Sequence, residues 1–178
     1  MIADLRDKDV GVRRATTTAI ERAHDMKWFP SEPVRKALLP VLFDTLGDTD
    51  ADVRTRAALA WVRFNGGRSS PEREAQVLLS VLLDALQNRE MIVRRDAASS
   101  LVTVNRDPKV VLAPLSKLLK DSDEQVCSAA ASALKAVDPP TAAVPALIGA
   151  LDDERARVRH SAAANLAWIG EPAKAAVP

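Results

Sequence analysis

The sequence predicts an all-α chain organised as an α-solenoid, a superhelix of stacked helix pairs about four and a half repeats long. Three observations predict it: the kind of apolar residue, one helical pattern that recurs five times, and an apolar segment led by proline after each recurrence. Apolar residues make up 47% of the 178, enough for a continuous core, and charged residues make up 28%, which suits a solvated surface. Ala, Leu and Val dominate, Tyr is absent, and there are only 3 Trp and 3 Phe. Ala and Leu are the strongest helix formers, and small Ala side chains let helices approach closely. Alternating runs of β-branched and aromatic residues, the mark of strands, are missing.

The first helix of each repeat is read from a Leu followed seven residues later by a Val. The pairs are Leu5/Val12, Leu46/Val53, Leu86/Val93, Leu119/Val126 and Leu151/Val158, at successive spacings of 41, 40, 33 and 32 residues. Four residues past each Val stand Thr16, Ala57, Ala97, Ala130 and Ala162. Eight past it stand Ile20, Trp61, Leu101, Leu134 and Leu166, and eleven past it Ala23, Phe64, Val104, Val137 and Ile169. Offsets of 0, 4, 8 and 11 trace one face of a helix. Asp9, Asp50 and either Ser122 or Asp123 stand where an N-cap is wanted.

The second helix of each pair is read from PVRKALLPVLFDTL, REAQVLLSVLLDAL, DPKVVLAPLSKLL and PPTAAVPALIGAL, each ending on the Leu that opens the next repeat. A Pro stands near the start of each, where its missing N–H costs nothing. Turn residues separate the two helices: Gly66 to Ser70, Asn105-Arg106-Asp107 and Asp138-Pro139-Pro140. The whole chain, 1–178, therefore reads as one repeat domain. Its units are approximately 1–45, 46–85, 86–118, 119–150 and an incomplete 151–178. A helix pair cannot bury its apolar face alone, so neighbours share a core. The Pro172 to Pro178 tail has the pattern of a second helix just beginning, which leads us to expect a portion of a longer array.

The stretch AVPALIGALDDERARVRHSAAANLAWIG resembles the bacterial HEAT repeat, also called the phycobilisome-lyase-type HEAT-like repeat. LGDTDADVRTRAALAWV and LKDSDEQVCSAAASAL are similar to the same unit. The resemblance implies HEAT-type helix pairs over essentially the whole chain. It says little of function, because the motif residues build the stack. Cys127 departs from it, standing where the other repeats have Arg13, Arg54, Arg94 and Arg159. The family's structural ladder, linking successive turns, is what the resemblance implies for these Arg residues. Their spacing from Asp9, Asp50 and Glu90, four residues away, also lets side chains meet. Loss of the Arg at Cys127 then reads as a local weakening.

Net charge is +1, from 25 basic and 24 acidic residues, which argues against a strongly basic nucleic-acid binder and against a polybasic membrane surface. One cysteine, no apolar signal core and no stretch of membrane-spanning length lead to the expectation of a cytoplasmic protein. The two histidines, His24 and His160, lie in separate repeats, and no Gly-rich phosphate loop, nucleophile elbow or CxxC occurs. No catalytic residue, metal site or cofactor site is therefore assigned, and the chain is expected not to be an enzyme.

The expected function is a non-enzymatic scaffold or adaptor that binds a protein partner through the solenoid surface. Two other classes are implied by resemblance: an accessory subunit of a bilin lyase or chaperone-like enzyme, and nucleic-acid binding like that of HEAT-like DNA glycosylases. For the second of these, 17 Arg against 8 Lys supply cations, and Arg14 with Arg95 and Arg22 with Arg63 could align as short stripes. The exposed side of the second helices is expected to form the concave wall, with rows at Lys36, Gln76, Lys109 and Thr141, at Pro40, Ser80, Ala113 and Pro145, and at Asp44, Asp84, Lys117 and Gly149. Mixed charge and no aromatic platform suit a protein surface better than a nucleic-acid backbone. The expected partner-binding residues are Trp28 and Phe29 in the first loop, with Lys36, Asp44, Gln76, Asp84, Lys109 and Lys117 on the wall.

Overall fold

The computed structural model describes residues 2–23, 30–66 and 71–170, and among these there are nine α-helices and no strand. They alternate as the pattern requires. First helices are α1 (Val10–Ala23), α3 (Ala51–Asn65), α5 (Met91–Val104), α7 (Glu124–Leu134) and α9 (Ala156–Ile169). Second helices are α2 (Glu32–Thr45), α4 (Glu72–Ala85), α6 (Pro108–Leu118) and α8 (Val144–Gly149). The fold is an all-α solenoid of helix pairs. The chain divides into two compact units, residues 1–84 and 85–178.

In the first unit α3 packs on both α1 and α2. The side predicted to be core is core: Val53 and Ala57 are fully buried, and Trp61 and Phe64 nearly so. Asp50 caps α3 by accepting from the Val53 N–H at 3.1 Å, and Gly66 ends it with φ 66°, a left-handed position that favours glycine. The same side of α1 is less complete. Ile20 is buried, but Val12 is 39% exposed and Thr16 half-buried, while Thr17 and Glu21 turn inward.

In the second unit α7 packs on α5, α6 and α9, and α8 packs on α9. Val93, Ala97, Leu101, Val126, Ala130, Leu134, Val158, Ala162 and Leu147 are all fully buried. Asp123, not Ser122, caps α7, accepting from the Gln125 and Val126 N–H groups. The last second helix departs from expectation. PPTAAVPALIGAL forms a short 3-10 turn (Pro140–Ala143), then α8, then another 3-10 turn (Ala150–Asp152). Pro145 stands in the first turn of α8, where its missing N–H costs nothing. No described helix is long and apolar enough to cross a membrane.

Candidate functional site

The turn that opens each repeat is built five times by one local device. Two residues past the opening Leu, a side-chain oxygen accepts from the N–H two residues on: Asp7 from Asp9, Asp48 from Asp50, Asn88 from Glu90, Asp121 from Asp123 and Asp153 from Arg155, all at 2.8–2.9 Å. Asx geometry of this kind closes a turn without distant partners.

The recurring Arg then reads that turn. Arg13 donates to the Asp7 and Lys8 carbonyls, Arg54 to Asp48 and Thr49, Arg94 to Asn88 and Arg89, and Arg159 to Asp153 and Glu154, at 2.7–3.1 Å. At Arg13 and Arg94 the remaining nitrogens reach forward to the next turn. Arg13 grips Asp48 at 2.7 and 3.1 Å, and Arg94 grips Asp121 at 2.8 Å through both oxygens. One guanidinium thus satisfies its own turn and anchors the next, a bidentate use for which Lys is no substitute. The expected four-residue contact with Asp9 is not what Arg13 makes. Asp50 likewise takes the Arg14 guanidinium from the preceding repeat, at 3.0 Å from Nε.

At Cys127 the ladder changes hands. The thiol donates to the Asp121 carbonyl at 3.2 Å, and Arg155 from the following turn reaches back to the carbonyls of Asp121 and Leu119. Arg155 also chelates Asp153 through both carboxylate oxygens, at 2.8 and 2.9 Å. It therefore serves the Asp121 carbonyl and the Asp153 carboxylate, two of the groups that an Arg at 127 would have reached. The expected weakening is a substitution by another residue.

These pairs set the titration of the turns. The Arg14 hydrogen bond holds the Asp50 carboxyl at about 2, and Arg155 does the same for Asp153. Burial pushes Asp48 and Asp121 upward, but hydrogen bonds from Arg13 and Arg94 and from turn N–H groups outweigh it and hold both below the usual range. Burial pushes the Cys127 thiol up, which makes it a poor nucleophile.

Three of the four Arg residues in the expected stripes, Arg14, Arg63 and Arg95, are engaged within the chain, and Arg22 is exposed. Arg14 faces Asp50, and Arg95 sits 2.8 Å from Asp96. Arg63 donates to the Glu21 backbone carbonyl at 2.9 Å, and Arg56 donates to the Glu21 carboxylate at 3.0 Å. Glu21 and Arg56 are 2% and 4% exposed, so this cluster lies inside the first unit. Trp168 is 63% exposed, with the Lys135 ammonium 5.6 Å from its ring centroid.

The second helices present the opposite situation. Lys36 and Asp44 on α2, Gln76 and Asp84 on α4, and Lys109 and Lys117 on α6 are all exposed. So are Pro40, Ser80, Ala113, Thr141, Pro145 and Gly149 in the intervening rows. Lys36 lies 3.6 Å from Glu32, and Asp44 accepts from Arg6 at 3.1 Å between two open side chains. Trp28 and Phe29 lie outside the described residues. In the second unit a groove of about 290 Å³ opens between the C-terminal end of α6 and α8. Ser116, Leu119 and Lys120 form one side, and Pro145, Ala146, Gly149, Ala150 and Asp153 the other. No sequence pattern announced this groove. The small residues on α8 and its shortness were the available signal.

The segment 112–177 matches the sequence model for HEAT repeats. Comparison with curated protein sequences finds no match. Among solved structures, the chain is similar to a designed armadillo repeat protein at 19% identity and TM-score 0.62, covering 93% of this chain and 79% of that one. A designed armadillo repeat protein in complex with the peptide (KR)4 is similar at 18% identity and TM-score 0.61, with 95% and 80% covered. The complex of CpcE and CpcF of phycocyanin lyase from Nostoc sp. is similar at 22% identity and TM-score 0.59. There 96% of this chain aligns with 64% of that chain. At these identities the likeness is one of fold: this is an armadillo/HEAT-type repeat architecture.

Proposed function

We propose that this HEAT-type solenoid is a non-enzymatic scaffold that binds a protein partner through the exposed faces of its second helices. The observation that carries the reading is the division of labour between the two helix types. On the first-helix side, the Arg residues of the turns are spent on carbonyls and carboxylates within the chain. On the second-helix side, charged residues stand open and the one cavity described lies between two of these helices. A surface with partly unspent polar groups and a concavity is what a partner needs. That one similar fold is in complex with a peptide, and another belongs to a two-protein complex, supports the same reading.

Accessory action in a bilin lyase is the second reading, favoured by the likeness over 96% of the chain to CpcE–CpcF. The pairing of Arg13, Arg14 and Arg94 with acids leaves less cationic surface for nucleic acid than the Arg count suggests. The test is affinity capture from the native host. The native chain is compared with a variant carrying Lys36→Glu, Gln76→Lys, Lys109→Glu and Lys117→Glu together. A specific protein should be retained by the native chain and lost from the variant while helicity by circular dichroism is unchanged. Retention by both would place binding elsewhere. Co-purification of a visible-light-absorbing species would favour the lyase reading.

A further inference from the structure

The groove between α6 and α8 has a chemical character that narrows what it accepts. Its α6 side, Ser116, Leu119 and Lys120, contains no Asp or Glu, and Lys117 stands exposed beside it, while Lys109 lies at the other end of α6. None of these Lys side chains has an ionic partner among the described residues. The one carboxylate in the wall, Asp153, is already neutralised by both arms of Arg155. Lys120 in the wall and Lys117 three residues earlier stand against Asp153, which Arg155 already holds, and the exposed Asp152 beside it, so the cationic side of the groove is its α6 side. Ser116 adds a hydroxyl there.

Beneath this rim the lining is aliphatic: Leu119, Pro145, Ala146 and Ala150. A side chain added at Gly149 would meet nothing within 4 Å, so the wall there is open space. The volume, about 290 Å³, lies at the lower edge of small-molecule sites. It suits an aliphatic side chain or two better than a cofactor. A row of unpaired Lys without an aromatic platform lacks the stacking surface that bases use.

We propose that this groove docks an acidic, extended segment of a partner protein, seating an aliphatic side chain against Leu119, Pro145 and Ala150 while its carboxylates face Lys117 and Lys120. The inference rests on the scaffold reading and gives it a partner chemistry. Charge complementarity carries it: an acidic peptide gains from the unspent ammonium groups of Lys117 and Lys120, which repel a basic one. Affinity for such a small groove is expected to be modest and to fall with salt.

The experiment uses the full chain and fluorescence anisotropy with three short labelled peptides, repeats of Asp-Glu-Val, Asp-Glu-Ser and Lys-Lys-Val. The Asp-Glu-Val peptide should bind at least about tenfold more tightly than either of the others. Two variants then locate the site. Lys117→Glu with Lys120→Glu reverses the rim, and Gly149→Leu fills the groove at an exposed position with ordinary helical backbone. Each should weaken binding about tenfold with an unchanged thermal melt. Absence of Asp-Glu-Val binding, equal binding of Lys-Lys-Val, affinity unmoved by both variants, or displacement by oligothymidine would each overturn the proposal. If it falls while capture of the native partner still depends on the second-helix charges, the scaffold reading stands and only the acidic peptide is lost.

Discussion

Two links of the same ladder solve one problem in opposite directions. At Arg94 the guanidinium binds the carbonyls of its own turn and reaches forward to Asp121. At Cys127 the corresponding carbonyl and the next carboxylate, Asp153, are both served from the far side by Arg155. What is kept between them is one carbonyl, that of Asn88 or Asp121, and the carboxylate of the following turn. The position that satisfies them is free to move. An unsatisfied buried polar group costs more than its hydrogen bond contributes, so the turn, and not the Arg, is the constrained element.

The largest effects should come from beneath both links. Leu101 under the first and Leu147 beside the second are fully buried. Truncation of either to Ala should cost about 2–5 kcal/mol in urea unfolding. A smaller loss than at the ladder positions would mean that polar turns, and not the shared core, hold the repeats together. Next comes Arg94→Ala, which strips Asp121 and two carbonyls at once and should cost about 1–3 kcal/mol by the same measurement.

The sharper test concerns the exchange itself. Arg155→Ala alone should destabilise the second unit, and adding Cys127→Arg should restore most of the loss. In the native background Cys127→Arg should destabilise, because it puts a second guanidinium at a fully buried position whose targets are taken. Additive effects in this double-mutant cycle would show that the two positions do not share a task.

Acid provides the smallest and most local comparison. Asp50 and Asp153 titrate at about 2 in the folded chain, below the ordinary carboxylate value of about 3.9. A depressed folded value stabilises at pH above the unfolded one, and that contribution fades as pH falls from about 4 towards 2. Arg14→Gln should flatten this acid loss in the first unit, followed by circular dichroism against pH, and leave Asp153 unaffected.

Much of this was legible from residue spacing. The offsets 0, 4, 8 and 11 located all five first helices, and Val53, Ala97, Leu134 and Ala162 are buried as the pattern requires. Periodicity reports which side faces the core, and that decides most of a repeat fold. It does not report which charged groups meet, because Arg13 finds Asp48 and Glu21 finds Arg56 across 35 residues. For the same reason the spacing gives no sign that Arg56, 4% exposed, is interior. The exposure of Lys36, Gln76, Lys109 and Lys117 was readable by counting back from each terminal Leu. The groove was not, because it depends on α8 being only six residues long, flanked by 3-10 turns.

The back-reaching Arg155 also bears on how such a chain can be cut and rejoined. Where each clamp points forward by one turn, whole repeats can be excised or duplicated at matching positions and every clamp still finds a partner. The repeats opening at Leu119 and Leu151 lack that freedom. Removing the later one takes away the Arg that holds the Asp121 carbonyl, and copying the earlier one elsewhere places Cys127 before a turn with no Arg to answer it. In any exchange of repeats, these two must travel as a pair.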